Sequence, residues 1–424
     1  MAPDYAKLSR TFLMLFAFFS PISVAGANVS LVLALIFFLC AMAYTRRFEF
    51  AKNNANVPVL AFLAITGLSV LTSSDFARSL EGYSSMWVVL TYFLCVNNMS
   101  TVPQLKRTLN VLILSTTIAG AYGIFEHFTR INFFGSSVFN HDIWLKENPA
   151  RCSGFFIHPL TFGEYLAMII PLIFALLLHN LKNKKLMLVY GVSLFITLTA
   201  LLFTYGIGPW LGLASGIILL LFLLVKRKAF MAGAGLIVAG SLLVLLLFPS
   251  SSPARKIRNI TSPFNVSSAE RFRVWDRSLR MIGNKPVFGV GWEAFDTAQR
   301  QYDPLKRRAS CHTHNNFLNI GVETGLIGLG VFLWVVVVIF AQGIITLRNT
   351  RDIYLKTLNC GIMASLAAFL VSGMTDYSLG YSVIATLFYF LTGLLFAIPN
   401  LENSDRRESR ATRICQKIEG KGVE

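Results

Sequence analysis

Residues 31–43 read LVLALIFFLCAMA, with no polar side chain among them, and residues 210–225 read WLGLASGIILLLFLLV. A helix that is apolar on every side needs lipid or other helices all round it. Of 424 residues, 54% are hydrophobic and only 14% charged, where a soluble globular chain carries about 25% charged residues. These features exclude a soluble enzyme, a disordered chain and a collagen-like chain. The alternating pattern of an outer-membrane barrel is absent too. The expected fold class is therefore all-α, a polytopic membrane protein.

A crossing needs about 20 apolar residues. The sequence predicts twelve spans, near 11–27, 28–44, 57–73, 83–97, 108–126, 160–179, 186–204, 210–225, 229–248, 316–342, 357–375 and 382–399. Residues 1–248 then hold spans one to nine, 249–315 one large loop with short helices, 316–399 spans ten to twelve, and 400–424 a tail. Lys7, Arg10, an apolar run and Ala25-Gly26-Ala27 have the outline of a cleavable signal. A second apolar span follows almost at once, so the start reads as an uncleaved hairpin.

The net charge is +17. It does not point to nucleic acid, because most of the basic residues sit in short clusters between spans and no nucleic-acid-binding module houses the rest. The clusters are Arg46, Arg47 and Lys52; Lys106 and Arg107; Lys182, Lys184 and Lys185; Lys226, Arg227 and Lys228; and Arg348, Arg351 and Lys356. With two residues before span one and six in the tail they hold 22 of the 38 Lys and Arg. Basic short loops favour the cytoplasm, so both termini are expected inside. Residues 249–315 fall on the outer face with 12 Lys/Arg against 5 Asp/Glu. Long loops translocate largely regardless of charge. Their basic excess has two readings: a solvated loop with ordinary salt bridges, or a site for a phosphate-rich ligand, which arginine's planar fork meets two oxygens at a time.

The loop contains ERFRVWDRSLRMIGNKPVFGVGWEAF at 270–295, and SCHTHNNFLNIGVETGLIGLGVF follows at 310–332. Residues 269–283 have helical spacing, with Phe272, Trp275, Leu279 and Met281–Ile282 as an apolar face. Arg273, Arg277 and Arg280 share another face at i, i+4 and i+7, and Arg271 is free to point elsewhere. Pro286, Gly289 and Gly291 end the helix in a compact turn. A lone Gly-Val-Gly that follows no parallel strand is not a dinucleotide signal. His312 and His314 lack an obvious third ligand, so no metal is assigned. An imidazole at a membrane surface can instead take a proton from a sugar hydroxyl. The alternative is simple helix capping, with Asn315 or Asn316 as N-cap. His127, His141 and His158, also on the outer side, read singly as structural. The six cysteines show no metal spacing. Cys40, Cys95 and Cys360 are packing residues, and Cys152 and Cys311 read as unpaired thiols, with a disulfide between them as the alternative.

Arg271 with Trp275, then Pro286-x-x-Gly289-x-Gly291, then His314-Asn315 with Leu318, Glu323-x-Gly325 and Gly328 resemble, in order and spacing, the O-antigen ligase and polymerase superfamily of bacterial envelopes. Arg151-x-x-Gly154 with His158-Pro159, and Thr375-Asp376, agree with it. The resemblance covers most of the chain, and the His-x-His-Asn form and compact length are most similar to O-antigen ligase. It implies an inner-membrane glycosyltransferase of the GT-C-like helical class, working without metal or other cofactor. Such ligases move a polysaccharide from undecaprenyl diphosphate to lipid A-core on the periplasmic face, among membrane lipids. It implies His314 as catalytic base with His312 beside it. Arg271, Arg151, Arg273 and Arg277 would surround the diphosphate, with Trp275, Asn315, Glu323 and Asp376 as supporting motif residues. A polymerase of the same superfamily is the nearest alternative, and a lipid-linked sugar transporter a more distant one. One departure stands out. The family's Thr-x-Ser/Thr-Arg-Gly corresponds to Thr204-Tyr205-Gly206-Ile207-Gly208, so Ile207 occupies the arginine position and its task would fall to Arg151 or a loop arginine.

Overall fold

A computed structural model describes residues 4–46, 51–134, 150–224, 266–302 and 311–419, with side chains omitted at 266–269 and 405–419. The helices are α1 (Tyr5–Phe19), α2 (Val24–Thr45), α3 (Asn56–Leu71), α4 (Phe76–Ser84), α5 (Leu90–Asn98), α6 (Val102–Thr129), α7 (Pro159–His179), α8 (Lys184–Phe203), α9 (Ile207–Leu224), α10 (Val266–Asn284), α11 (Phe295–Gln299), α12 (Asn316–Asn349), α13 (Ile353–Ser372) and α14 (Ser382–Glu419). No strand occurs among the described residues. Eight helices, α2, α6, α7, α8, α9, α12, α13 and α14, are long and apolar enough to cross a membrane. The chain is a multi-pass membrane protein.

Four expected spans take another form or fall outside the description. The first and third are α1, at 15 residues, and α3, at 16. The fourth, 83–97, runs through α4, a 3-10 segment at Ser85–Val89 and α5. The ninth, 229–248, lies outside the described residues. Two boundaries also shift. The helix from Ser382 continues through Pro399 to Glu419, so the expected tail is helical over most of its length. Within α12 the backbone leaves helical geometry at Gly325, at φ 70°. There the Leu326 N–H donates to the Pro286 carbonyl at 2.7 Å instead of to its own helix.

Burial sorts the apolar helices into two classes. In the most apolar window of α14, 89% of residues are buried, and in that of α7 83%, whereas α2 reaches 22% and α8 and α9 28% each. Helices α7, α13 and α14 are thus the protein core, and the others turn wide apolar faces outward to meet lipid. Polar caps fix where several helices begin. Ser23 Oγ accepts from Gly26 N–H at 3.1 Å, and Asp352 Oδ1 from Leu355 N–H at 2.8 Å.

The seam between α9 and α13 positions the outer end. Gly208, Gly212 and Gly216 recur every fourth residue along one face of α9. A Cβ at Gly212 would run into the Ala368 carbonyl, one at Gly216 into the Ala364 carbonyl, and one at Gly208 into the Thr375 side chain. Small residues at this period let two helix backbones approach closely in a membrane. The seam fixes the loop after α13, which carries Asp376, against the start of α9, next to Thr204.

The described part of the large loop docks at the same end. The buried side of α10 is Val274, Ser278 and Met281. Phe272 and Leu279, expected on the buried face, are 64% and 61% exposed. Helix periodicity shows that a stripe exists, and the partner decides which stripe is covered. Here the partner is the turn at 290–298, where Val290, Ala294, Phe295 and Ala298 pack with Val322. Val290 and Gly291 N–H donate to the Val322 and Glu323 carbonyls at 2.9 and 3.0 Å. Gly289 has φ 70° and lies so close to the Val322–Glu323 backbone that no side chain fits.

Candidate active site

The site forms where the segment before α12 meets the loop after α13. Asn315 caps α12, its Oδ1 accepting from Leu318 N–H at 3.0 Å, and its Nδ2 reaches across to the Met374 carbonyl at 3.1 Å. Asn316 N–H donates to the Gly373 carbonyl at 2.6 Å, and Asn316 Oδ1 accepts from Leu379 N–H at 3.1 Å. Thr313 N–H is held by Asn319 Oδ1 at 3.1 Å. Two stretches about sixty residues apart in sequence are thereby locked together.

The lock brings His314 onto Asp376. His314 Nδ1 lies 3.3 Å from Asp376 Oδ1, and His312 Nδ1 lies 3.9 Å from the same oxygen. The Asp376 carboxylate is 7% exposed and the His314 imidazole 32%. His314 holds a left-handed backbone, φ 54°, an uncommon state for a residue with a Cβ and one that clusters at functional sites. Its N–H donates to His312 Nδ1 at 3.2 Å, and the two rings cross with centroids 4.3 Å apart. With its proton on Nδ1 toward the carboxylate, the His314 ring carries its lone pair on Nε2, the arrangement of a general base oriented by an acid.

Electrostatics gather further groups here. Burial alone would raise the Asp376 carboxyl. The hydrogen bond from His314 and the charges of His312 and His314 outweigh it and hold Asp376 below the usual carboxylate range. Burial pushes His312 down to about 4, with Arg271 among the nearby cations that assist. His158 is also pushed down to about 4, by burial first and then by Arg151. His158 Nδ1 accepts from Leu160 N–H at 3.2 Å and so caps α7, the structural role expected for it. Its charge coupling to Asp376 and His314 was not visible in the sequence. His127 stacks on Phe203 at 3.9 Å, and His141 lies outside the described residues.

Arg151 is 9% exposed, and its Nε donates to the Thr204 carbonyl at 2.9 Å. Thr204 is three residues before Ile207, so a guanidinium from another loop reaches the stretch that lacks the family's arginine. Glu126 holds that loop. Its carboxylate accepts from Ser153 N–H and Gly154 N–H, both at 2.8 Å, from Ser153 Oγ at 3.0 Å and from Asn132 Nδ2 at 2.8 Å.

On α10, Trp275 Nε1 donates to the Thr313 carbonyl at 3.0 Å, so this residue joins α10 to the histidine segment and is more than an apolar face residue. Arg271, one turn earlier on the same side, is half-buried and near enough to His312 to act on its charge. Arg273 is exposed and Arg277 half-buried, and Arg280 pairs with Asp276 at 2.9 Å. Glu323 is buried at 2% exposure beneath the Gly291 turn. Arg255, Arg258, Arg307 and Arg308 lie outside the described residues. Cys152 and Cys311 are both unpaired, the first buried and the second exposed.

His312, His314 and Asp376 place one ligand atom each within 4.8 Å of one another, so a third donor does join the two histidines. In this geometry His312 Nδ1 already accepts a backbone hydrogen bond and His314 Nδ1 faces the carboxylate. The trio is satisfied as a hydrogen-bonded set.

A sequence model described as O-antigen ligase matches residues 192–333, the stretch holding Arg271, Trp275, the glycine turn and both histidines. A candidate polysaccharide ligase of Rickettsia typhi is 24% identical over 345 residues, covering 78% of this chain and 77% of its own. An exopolysaccharide production protein of Rhizobium meliloti is 32% identical over 135 residues, 30% of each chain. A ComP-specific O-oligosaccharyltransferase of Acinetobacter baylyi is 24% identical over 140 residues, covering 32% of this chain and 24% of its own. With the motif residues drawn into one site at one end of the helix bundle, the chain is similar to the O-antigen ligase superfamily over residues 192–333.

Proposed function

We propose that the chain is an O-antigen ligase: an inverting glycosyltransferase that moves a polysaccharide from undecaprenyl diphosphate to lipid A-core at the periplasmic face of the inner membrane. The observation that carries this reading is the 3.3 Å contact of His314 Nδ1 with the buried Asp376 carboxylate, set among cations. His314 Nε2 takes the proton of an acceptor hydroxyl. The acceptor oxygen forms its bond to the anomeric carbon as the bond from that carbon to the phosphate oxygen breaks. Undecaprenyl diphosphate departs with the electron pair, held by Arg271 and Arg151, with Arg273 and Arg277 assisting from α10. A positioned base contributes about 10²–10⁴-fold, and fixed cations around a leaving diphosphate contribute comparably where water is excluded. Among the described residues no carboxylate is assigned as a nucleophile, so configuration is expected to invert. Histidine and guanidinium groups suffice for this chemistry, and EDTA is expected to leave transfer unchanged.

Both substrates carry lipid tails, which suits a site at one end of a GT-C-like bundle. Glu126, Glu164, Glu323 and Asp376 all lie at or near helix ends that meet there. This favours surface chemistry over transport, which would place charges at mid-membrane. Periplasmic placement of 249–315 and cytoplasmic termini follow from the charge pattern of the short loops.

Electrophoresis of extracted lipopolysaccharide from a strain lacking the gene tests the reading. Ligase loss leaves bare lipid A-core and long chains on undecaprenyl diphosphate. Core capped by a single repeat would instead identify a polymerase.

A further inference from the structure

A cavity of about 170 Å³ opens beside the histidine pair. It is lined by Arg78, Glu293, His312, Glu323, Tyr377 and Tyr381 among others, and by none of the arginines assigned to the diphosphate. Glu323 Oε2 and the Tyr377 hydroxyl are buried beside Asn319, with no well-formed hydrogen bond to it. Glu323 is 2% exposed and Tyr377 6%. Buried polar atoms are nearly always well paired, and two that are not, on residues lining one cavity, mark a place where a ligand can complete the bonding. Glu293 adds a second carboxylate from a left-handed backbone, φ 55°, a strained state for a residue with a Cβ. Among the described residues the one Lys or Arg on the wall is Arg78, itself bonded to Asp296 at 3.1 Å.

This chemistry suits a neutral polyol. A carboxylate accepts hydrogen bonds from two neighbouring hydroxyls, a phenol donates to a ring or hydroxyl oxygen, and the tyrosines add aromatic surface. The space slightly exceeds the roughly 150 Å³ cavity that holds one benzene ring, so it has room for one sugar ring. His312 lines the cavity, and its ring centroid is 4.3 Å from that of His314.

We propose that this cavity is a subsite for a single neutral sugar ring with vicinal hydroxyls, held by Glu323, Glu293 and Tyr377 and presented to the histidine pair. The proposal rests on the glycosyltransferase reading and extends it: the arginines bind phosphate, and the carboxylates bind the sugar. The ring can belong to the acceptor core or to the donor polysaccharide, and one experiment separates these sources.

Cys311 lines the cavity and is exposed, so maleimide alkylation at Cys311, read by peptide mass spectrometry on the full chain in nanodiscs, reports occupancy. Three probes are compared: core oligosaccharide released from lipid A-core of the source strain, polysaccharide released from its lipid diphosphate, and undecaprenyl diphosphate alone. One of the two sugars should slow alkylation at least threefold, and which one does so names the source. Its apparent affinity should fall about tenfold in Glu323→Gln and again in Tyr377→Phe, the loss typical of a hydrogen bond to a buried polar group. Protection by neither sugar, protection unchanged in both variants, or protection by undecaprenyl diphosphate alone would overturn the subsite. Protection in a wild-type protein that transfers nothing would overturn the ligase reading and leave the subsite standing. Transfer without protection would do the reverse.

Discussion

Replacing Asp376 with Asn removes a charge and almost nothing else. The side chain keeps its volume, and its oxygen can still accept from Tyr377 N–H, as Asp376 Oδ1 does at 2.9 Å. What is lost is the anion 3.3 Å from His314 Nδ1. As the imidazole takes a proton it becomes a cation, and that anion stabilises it. At this distance and an effective dielectric near 20, the attraction is about 5 kcal/mol. The carboxylate is 7% exposed but the imidazole 32%, so water screens part of the field. Roughly 2–3 kcal/mol should survive screening, a fall of about 30- to 150-fold in the rate of the chemical step. The assay is single-turnover transfer by the purified chain in nanodiscs, with the product resolved on a gel, beside a thermal unfolding curve. Asp376→Asn should unfold near the wild-type midpoint and transfer at a few per cent of the wild-type rate. Transfer within threefold of wild type would refute the role given to this carboxylate.

Other outcomes follow from the same geometry. Glu126→Leu leaves the Ser153 and Gly154 N–H groups buried and unpaired, at about 1–3 kcal/mol each. The unfolding midpoint should drop and transfer should fall with it as Arg151 loses its loop; an unchanged midpoint would contradict this. Gly212→Val forces a side chain against the Ala368 carbonyl, and overpacking of this kind costs about 1–3 kcal/mol. It should lower the midpoint, whereas Val at exposed Leu211 should not. His158 and His312 are both held down to about 4, chiefly by burial. The unfolded chain therefore binds protons that the folded chain refuses, and stability present above about pH 6.5 is lost as pH falls toward 4. The loss is about 3 kcal/mol for each histidine. Thermal unfolding from pH 7 to pH 4 should show the decline, and His312→Gln should flatten it.

The apolar runs were enough to read the helices, because a span's hydrophobicity is local and its length is set by the bilayer. The stretches 31–43 and 210–225 lie in α2 and α9, apart from Val225, which lies outside the described residues. The break in α12 was invisible in the sequence. Gly325 follows Glu323 and Thr324 without any helix-ending signal of its own, and the Pro286 carbonyl, 40 residues away, draws Leu326 N–H out of the helix. The covered stripe of α10 differs in part for a similar reason: Met281 is buried as expected, but the turn at 290–298 covers Val274 in place of Phe272 and Leu279, which no periodicity reveals. At the site, residue type singled out His312 and His314, and the family resemblance added Arg271 and Trp275. The sequence marked Asp376 only as part of a motif, since its pairing with His314 spans 62 residues and depends on the asparagine lock. Arg151 was proposed as a substitute for the arginine missing at Ile207, and its bond to Thr204 shows how it reaches that place.

In the proposed reaction an imidazole held by a buried carboxylate activates a sugar hydroxyl against a prenyl diphosphate donor. The most direct test reconstitutes the wild-type chain and His314→Ala with the source strain's lipid-linked polysaccharide and lipid A-core, and follows product over one turnover. The wild type should join the two, and His314→Ala, equally folded and still binding undecaprenyl diphosphate, should be slowed by about 10²–10⁴-fold. Equal product from both chains would contradict the account.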